Sequence, residues 1–248
     1  MSDPRWNLAA ARDTGAGQAL AIDAGLRAHM IRVYNYMAGG VALTGVVAWL
    51  TYQMAVTATG AMSPFGQALF GGPLFLVVMF APLALVFFLS WRIASLSVGA
   101  AQALFFVYAG LLGLSLGSIF LVYTEASITR VFFISAASFG ALSLWGYTTQ
   151  RSLSGLGSFL IMGLFGLIIA SVVNLFLRSS GLDWLLSVMG VGIFAGLTAW
   201  DTQKIKEIYD VNDDGSISGR KAVMGALSLY LDFINLFMSL LRLMGDRR

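Results

Sequence analysis

Cysteine is absent from the 248 residues, and histidine occurs once, at His29. Without thiols there is no disulfide framework, no thiolate zinc site and no cysteine nucleophile, and the redox compartment is not written in the chain. One imidazole leaves little for metal chemistry or a histidine-based triad. Charge is scarce as well. Asp, Glu, Lys and Arg make up 11% of the residues, against about 25% in a soluble domain. The 15 basic and 12 acidic side chains leave a net charge of +3. They are spread too thinly to form a stripe that neutralises phosphates, so nucleic acid is not an expected partner. What the chain has is apolar bulk: 58% of residues are hydrophobic, against about 45–50% usually. That excludes an ordinary cytosolic enzyme and a disordered tail.

The charges leave long gaps. Asp, Glu, Lys and Arg are missing from Val33 to Trp91, Ile93 to Thr124, Val131 to Gln150, Ser152 to Leu177 and Trp184 to Trp200. From Ala222 to Leu241 there is one charge, Asp232. A spanning helix needs about 20 apolar residues. The first gap holds two helices and a turn, marked by Thr59-Gly60-Ala61-Met62-Ser63-Pro64 and Gly71-Gly72-Pro73. The reading is an all-α integral membrane protein with seven spans, roughly 33–57, 73–90, 99–123, 131–149, 156–177, 183–201 and 222–243. The strict alternation of membrane-barrel strands is absent.

Residues 1–32 read as a polar N-terminal arm, and 33–248 as the transmembrane domain. The first apolar run starts late and is long, which predicts a retained anchor rather than a cleaved signal. Basic residues favour the cytoplasmic side. With the N-terminus inside, ten Lys and Arg fall on cytoplasmic segments and five on the other side. The expected topology has the N-terminus cytoplasmic and the C-terminus outside.

An intramembrane charge is expensive and usually faces the bundle interior. In span seven, steps of three and four place Gly225, Ser228, Asp232, Asn235, Ser239 and Arg242 on one helical face. Small polar residues of this kind are ordinarily interhelical glue, and Gly225, Ser228 and Ser239 are read so. Asp232 is read as functional. Asp201, at the end of span six, reads alone as a solvated carboxylate. Arg92, at the end of span two, reads alone as an anchor that reaches the headgroups.

The run from Ala226 to Phe237, ALSLYLDFINLF, followed by Leu240-Leu241-Arg242, resembles the C-terminal signature of the transmembrane Bax inhibitor motif family, also called the Bax inhibitor-1 family. Leu142 to Arg151 and the Trp200-Asp201-Thr202-Gln203 end of span six resemble further parts of it. The resemblance runs from about residue 25 onward. It implies two three-helix layers around a central C-terminal helix, and a slow, pH-sensitive calcium leak. It also implies a site of two hydrogen-bonded aspartates with an arginine latch. Asp201 and Asp232 match the pair by motif, and Arg92 matches the latch by position. The compact form looks bacterial, which points to a plasma membrane.

Two carboxylates at hydrogen-bond distance in a low dielectric do not both ionise readily and share a proton. The expected mechanism has Arg92 hold the partly anionic pair and close the cytoplasmic end, with acidification loosening it. Calcium is then the transported ion, with Asp201 and Asp232 as transient contacts, and no cofactor is expected. The bilayer is the expected surrounding. The alternative is a non-transporting regulator that binds membrane proteases or stress-response proteins. A retinal protein is rejected because span seven has no lysine. A secondary transporter is disfavoured by the odd span number and the lack of Gly/Pro-broken pairs. An intramembrane hydrolase is disfavoured by the lack of a protease motif.

Weaker features complete the reading. Asp210 to Ser218 resembles the start of an EF-hand loop, but Lys221 stands where a bidentate Glu belongs, so loop 210–221 is read as a solvated turn. Glu125 and Arg130 read as a hydrated surface pair. Gly110, Gly113, Gly117, Gly192 and Gly196 read as close-packing positions, and Gln102 and Asn174 as interhelical amides.

Overall fold

The computed structural model describes residues 4–72 and 74–248, with residues 4–22 as helix backbone only. Seven long helices follow one another: α1 Pro4–Ala55, α2 Leu74–Arg92, α3 Val98–Leu116, α4 Glu125–Thr148, α5 Ser154–Leu177, α6 Ser180–Glu207 and α7 Gly215–Met244. Each contains a stretch long and apolar enough to cross a membrane, α1 from Asp23 onward. Among the described residues there is no sheet, only the isolated bridges Val56–Met62 and Tyr123–Arg247.

Local chemistry sets the helix starts. Ser97, Thr124, Ser179 and Asp214 cap α3, α4, α6 and α7 by accepting backbone N–H groups of the first turn. Helix α5 stops where Arg178 turns left-handed at φ 50°. From α2 to α7 the helices start and stop within seven residues of the expected span limits, and α5 ends at the expected residue 177. Helix α6 runs on to Glu207 past Asp201, and α7 starts at Gly215 rather than 222. A charged residue leaves the hydrocarbon without leaving the helix, so charge marks the membrane edge and caps mark the helix end. No break separates an arm from the first span at residue 32, because α1 is continuous there.

Two layers form, α1–α2–α3 and α4–α5–α6, with α7 between them. In its most apolar stretch α7 is 72% buried, against 11% for α2 and 6% for α5. The outer helices therefore turn their apolar sides to lipid, as Phe87 and Phe176 do. Lipid tails compete with any apolar contact, so close packing and hydrogen bonds must hold such layers together. A side chain on Gly113 or Gly117 would meet α1 at Thr44, Val47 or Thr51. Gly146 lies against the Ala199 backbone, and Gly157 under the Trp200 ring. Gly196 meets Leu160, but Gly110 and Gly192 face open space, so the close-packing expectation fails at those two. Gln102 reaches from α3 to the Tyr36 hydroxyl of α1. Asn174 instead accepts the Ser179 N–H at the end of its own helix, a local cap rather than glue.

On α7, Tyr230 is fully buried and hydrogen-bonds Thr44 of α1, while Phe233 packs edge-on against Phe132 and Phe139 of α4. These contacts rotate α7 so that its polar face turns away from both.

Candidate functional site

That polar face opens into a cavity of about 790 Å³ between α5, α6 and α7, with Phe87 of α2 at its border. Ser228, Asp232, Asn235, Ser239 and Arg242 of the expected stripe line it. Helix α5 supplies an apolar wall, including Leu164, Ile168 and Val172. Helix α6 supplies Asp201 and Lys204. Gly225, the remaining stripe residue, packs against Ile205 and serves as contact surface.

Asp232 is 4% exposed. It lies 17 residues after Gly215 and 12 before Met244, about 26 and 18 Å along the axis at 1.5 Å per residue. Asp201 sits six residues before the end of α6 and is half-buried. The antiparallel approach of α6 and α7 brings the two carboxyl groups into hydrogen-bond reach of each other. A hydrogen bond between two carboxyls requires a proton on one of them. The other Asp232 oxygen, Oδ2, is buried with no hydrogen-bond partner among the described residues. The cation whose field acts on Asp201 is Lys204, one turn along the same helix and stacked over Trp200 at 4.9 Å.

Arg92 is not brought to the pair. It is exposed, and among the described residues its side chain makes no ion pair or hydrogen bond with Asp201 or Asp232. Lys204 was absent from the expected site, although its i,i+3 spacing from Asp201 is a legible signal. Asn235 and Ser239 each bond the carbonyl four residues back. Those bonds stay within α7, so these side chains do not tie helices together by hydrogen bonds. Ser239 also packs its hydroxyl against Gly190 of α6.

The chain Tyr34–Ser143–Thr202 was not anticipated. Tyr34 Oη and Ser143 Oγ are 2.6 Å apart, and Ser143 Oγ and Thr202 Oγ1 are 2.9 Å apart. It links α1, α4 and α6 and ends one residue from Asp201.

The loop between α6 and α7 behaves as a turn. Asp210 accepts the Asn212 N–H, which holds its carboxyl below the usual range. Asp214 caps α7, and the Ile217 N–H holds it low too. Asp213 pairs with Lys221. The carboxylates are thus occupied by the fold itself, and from Gly215 on the segment is helix. Among the described residues no group of three His, Asp or Glu is placed to hold a metal. Glu125 and Arg130 do not pair with each other. Arg248 lies 3.8 Å from Glu125, and Asp246 lies 2.9 Å from Arg130.

The family model described as "Inhibitor of apoptosis-promoting Bax1" matches residues 26–248, which takes in all seven spans and both aspartates. The chain belongs to this Bax inhibitor-1-like family. Its relatives include an inner membrane protein and are near neighbours in sequence. The inner membrane protein YbhL of Escherichia coli is 46% identical over 228 residues, covering 91% of this chain and 94% of that one. Protein RP147 of Rickettsia prowazekii is 46% identical over 226 residues, covering 91% and 92%. A protein of Caulobacter vibrioides is 42% identical over 246 residues, covering 98% of each. This Bax inhibitor-1-like chain matches such relatives along nearly its whole length.

Proposed function

We propose that this family member is a pH-sensitive calcium leak of a bacterial inner membrane, with its N-terminus inside, its C-terminus outside and no enzymatic chemistry. The observation that carries the reading is the Asp201–Asp232 pair inside a cavity lined by the polar face of α7. The name of the YbhL relative supports the membrane, and the ten-to-five distribution of basic residues supports the orientation.

The chemistry follows from the shared proton. With one proton the pair carries one negative charge, delocalised over two side chains. Calcium takes six to eight oxygens. Two carboxyl groups offer four, so water fills the remainder and the contact is transient. A second proton removes the charge and with it the attraction for neighbouring cations. Lys204 then loses the field of the neighbouring carboxylate, and the Arg92 latch that the family resemblance implies loses its anionic partner. Loss of that attraction loosens the packing beside the cavity, and flux rises as pH falls.

The test is calcium flux in liposomes holding the pure protein, measured across a pH series beside Asp201→Asn and Asp232→Asn. Wild type should leak more in acid, and both variants should lose the pH response. No flux at any pH would contradict the reading and favour a regulator that acts by binding membrane proteases or other membrane proteins.

A further inference from the structure

A second groove, of about 660 Å³, lies between α1 and α4 and shares no lining residue with the aspartate cavity. Its walls are Met30, Ile31 and Tyr34 on α1 and Phe139, Gly140 and Leu144 on α4. Arg27 and Tyr147 stand at its mouth. From Arg27 to Tyr34 it descends seven residues, about 10 Å of helix. Its mouth is therefore at the end where α1 enters and α4 leaves, and its floor lies within the hydrocarbon.

Two features say what fills it. The first is charge. Arg27 is exposed at the mouth, and Lys206, outside the groove's own walls, stands over the Tyr147 ring that lines it, its Nζ donating to the Tyr147 carbonyl. Basic groups beside an aromatic at this depth fit a phosphate, with the apolar slot below fitting a chain. The second is space. A side chain on Gly140 would meet nothing within 4 Å, so the slot is open where a glycine thins α4. At its floor the two helices are tied by the Tyr34–Ser143 hydrogen bond. Water does not satisfy an apolar slot at bilayer depth, and no segment of the described chain enters it.

We infer that this groove is a binding site for one anionic phospholipid, its phosphate on Arg27 and Lys206 and one acyl chain over Gly140. It does not rest on the ion-path reading. The bound chain lies directly on Tyr34, the first link of the hydroxyl chain that ends at Thr202.

The experiment is native mass spectrometry of the full chain released from nanodiscs of phosphatidylglycerol or of phosphatidylcholine with the same acyl chains. Wild type should retain one phosphatidylglycerol in preference to phosphatidylcholine. Arg27→Gln should lower that preference about fivefold, the effect of removing one basic group near an anionic surface. Gly140→Phe should abolish the retained lipid, while Gly110→Phe, at an equally open glycine on α3, should keep it. Thermal melting in detergent confirms that each variant is folded. Equal retention of the two lipids by wild type overturns the proposal. So does a lipid that survives Gly140→Phe in folded protein, or a Gly140→Phe that separates a dimer without changing lipid retention.

Discussion

Tyr230 Oη and Thr44 Oγ1 lie 2.6 Å apart in the interior of the bundle, tying the central helix to the first. Thr44 donates its own proton to the Ala109 carbonyl at 2.8 Å, so Tyr230 is the donor of the shared bond. Three helices meet at these two side chains, one turn or less from Asp232. Tyr230→Phe removes a single bond and leaves Thr44 still satisfied by Ala109, which predicts a loss of about 0.5–1.5 kcal/mol. Tyr230→Ala also empties a fully buried ring position and should cost about 3–5 kcal/mol. Unfolding in detergent by denaturant or heat measures both. Equal losses would mean that the hydroxyl, not the ring, holds α7 in place.

Gly146 lies against the backbone of Ala199, where no side chain can yield. Gly146→Val should separate α4 from α6 and cost about 2 kcal/mol or more. The cost should be read as a lower melting temperature and lower yield of folded protein. Gly140→Ala, two turns away on open space, should change stability little.

His29 is 3% exposed, and among the described residues neither ring nitrogen has a hydrogen-bond partner. Its ring packs against Tyr209 at 5.6 Å. An orphaned buried donor or acceptor costs about 1–3 kcal/mol. His29→Phe keeps the ring contact and removes both orphans, so it should be neutral or stabilising. A melting temperature lowered by many degrees would show that the imidazole makes a bond that matters.

Asp214 accepts the Ser216 and Ile217 N–H groups at the start of α7. These bonds hold its carboxyl below the usual range in the folded chain. A group with a depressed folded pKa contributes stability above its unfolded pKa, near pH 4, and the contribution is lost as pH falls through the folded value. Asp214→Asn keeps a capping oxygen and should flatten this acid-side slope. Asp214→Ala should lower the melting temperature at neutral pH as well. Melting curves from about pH 3 to about pH 7, which bracket the titration, check both.

The number of spans and the polar face of α7 were readable before folding. Both rest on local periodicity: long charge gaps for the one, steps of three and four from Ser228 to Arg242 for the other. The pairing of Asp201 with Asp232 was not readable that way. Thirty residues separate them in the chain, and the pair came from the family resemblance. The structure also corrects the reading where the partner is remote. Glu125 and Arg130 look like a local pair, yet the returning tail at Asp246 and Arg248 takes both. Arg92 has the position of a latch, but it is exposed and among the described residues makes no ion pair with either aspartate, whereas Lys204 lines the same cavity as the pair. His29 carried no signal, because burial without partners is a property of packing alone.

If the two aspartates act as one proton-sharing unit, their effects on pH response must not add. The direct measurement is the pH dependence of calcium flux in liposomes for wild type, Asp201→Asn, Asp232→Asn and the double variant, read as a double-mutant cycle. The account predicts that each single change flattens the profile as fully as both together. Single variants that each keep a substantial part of the slope, with losses that sum in the double variant, would contradict it.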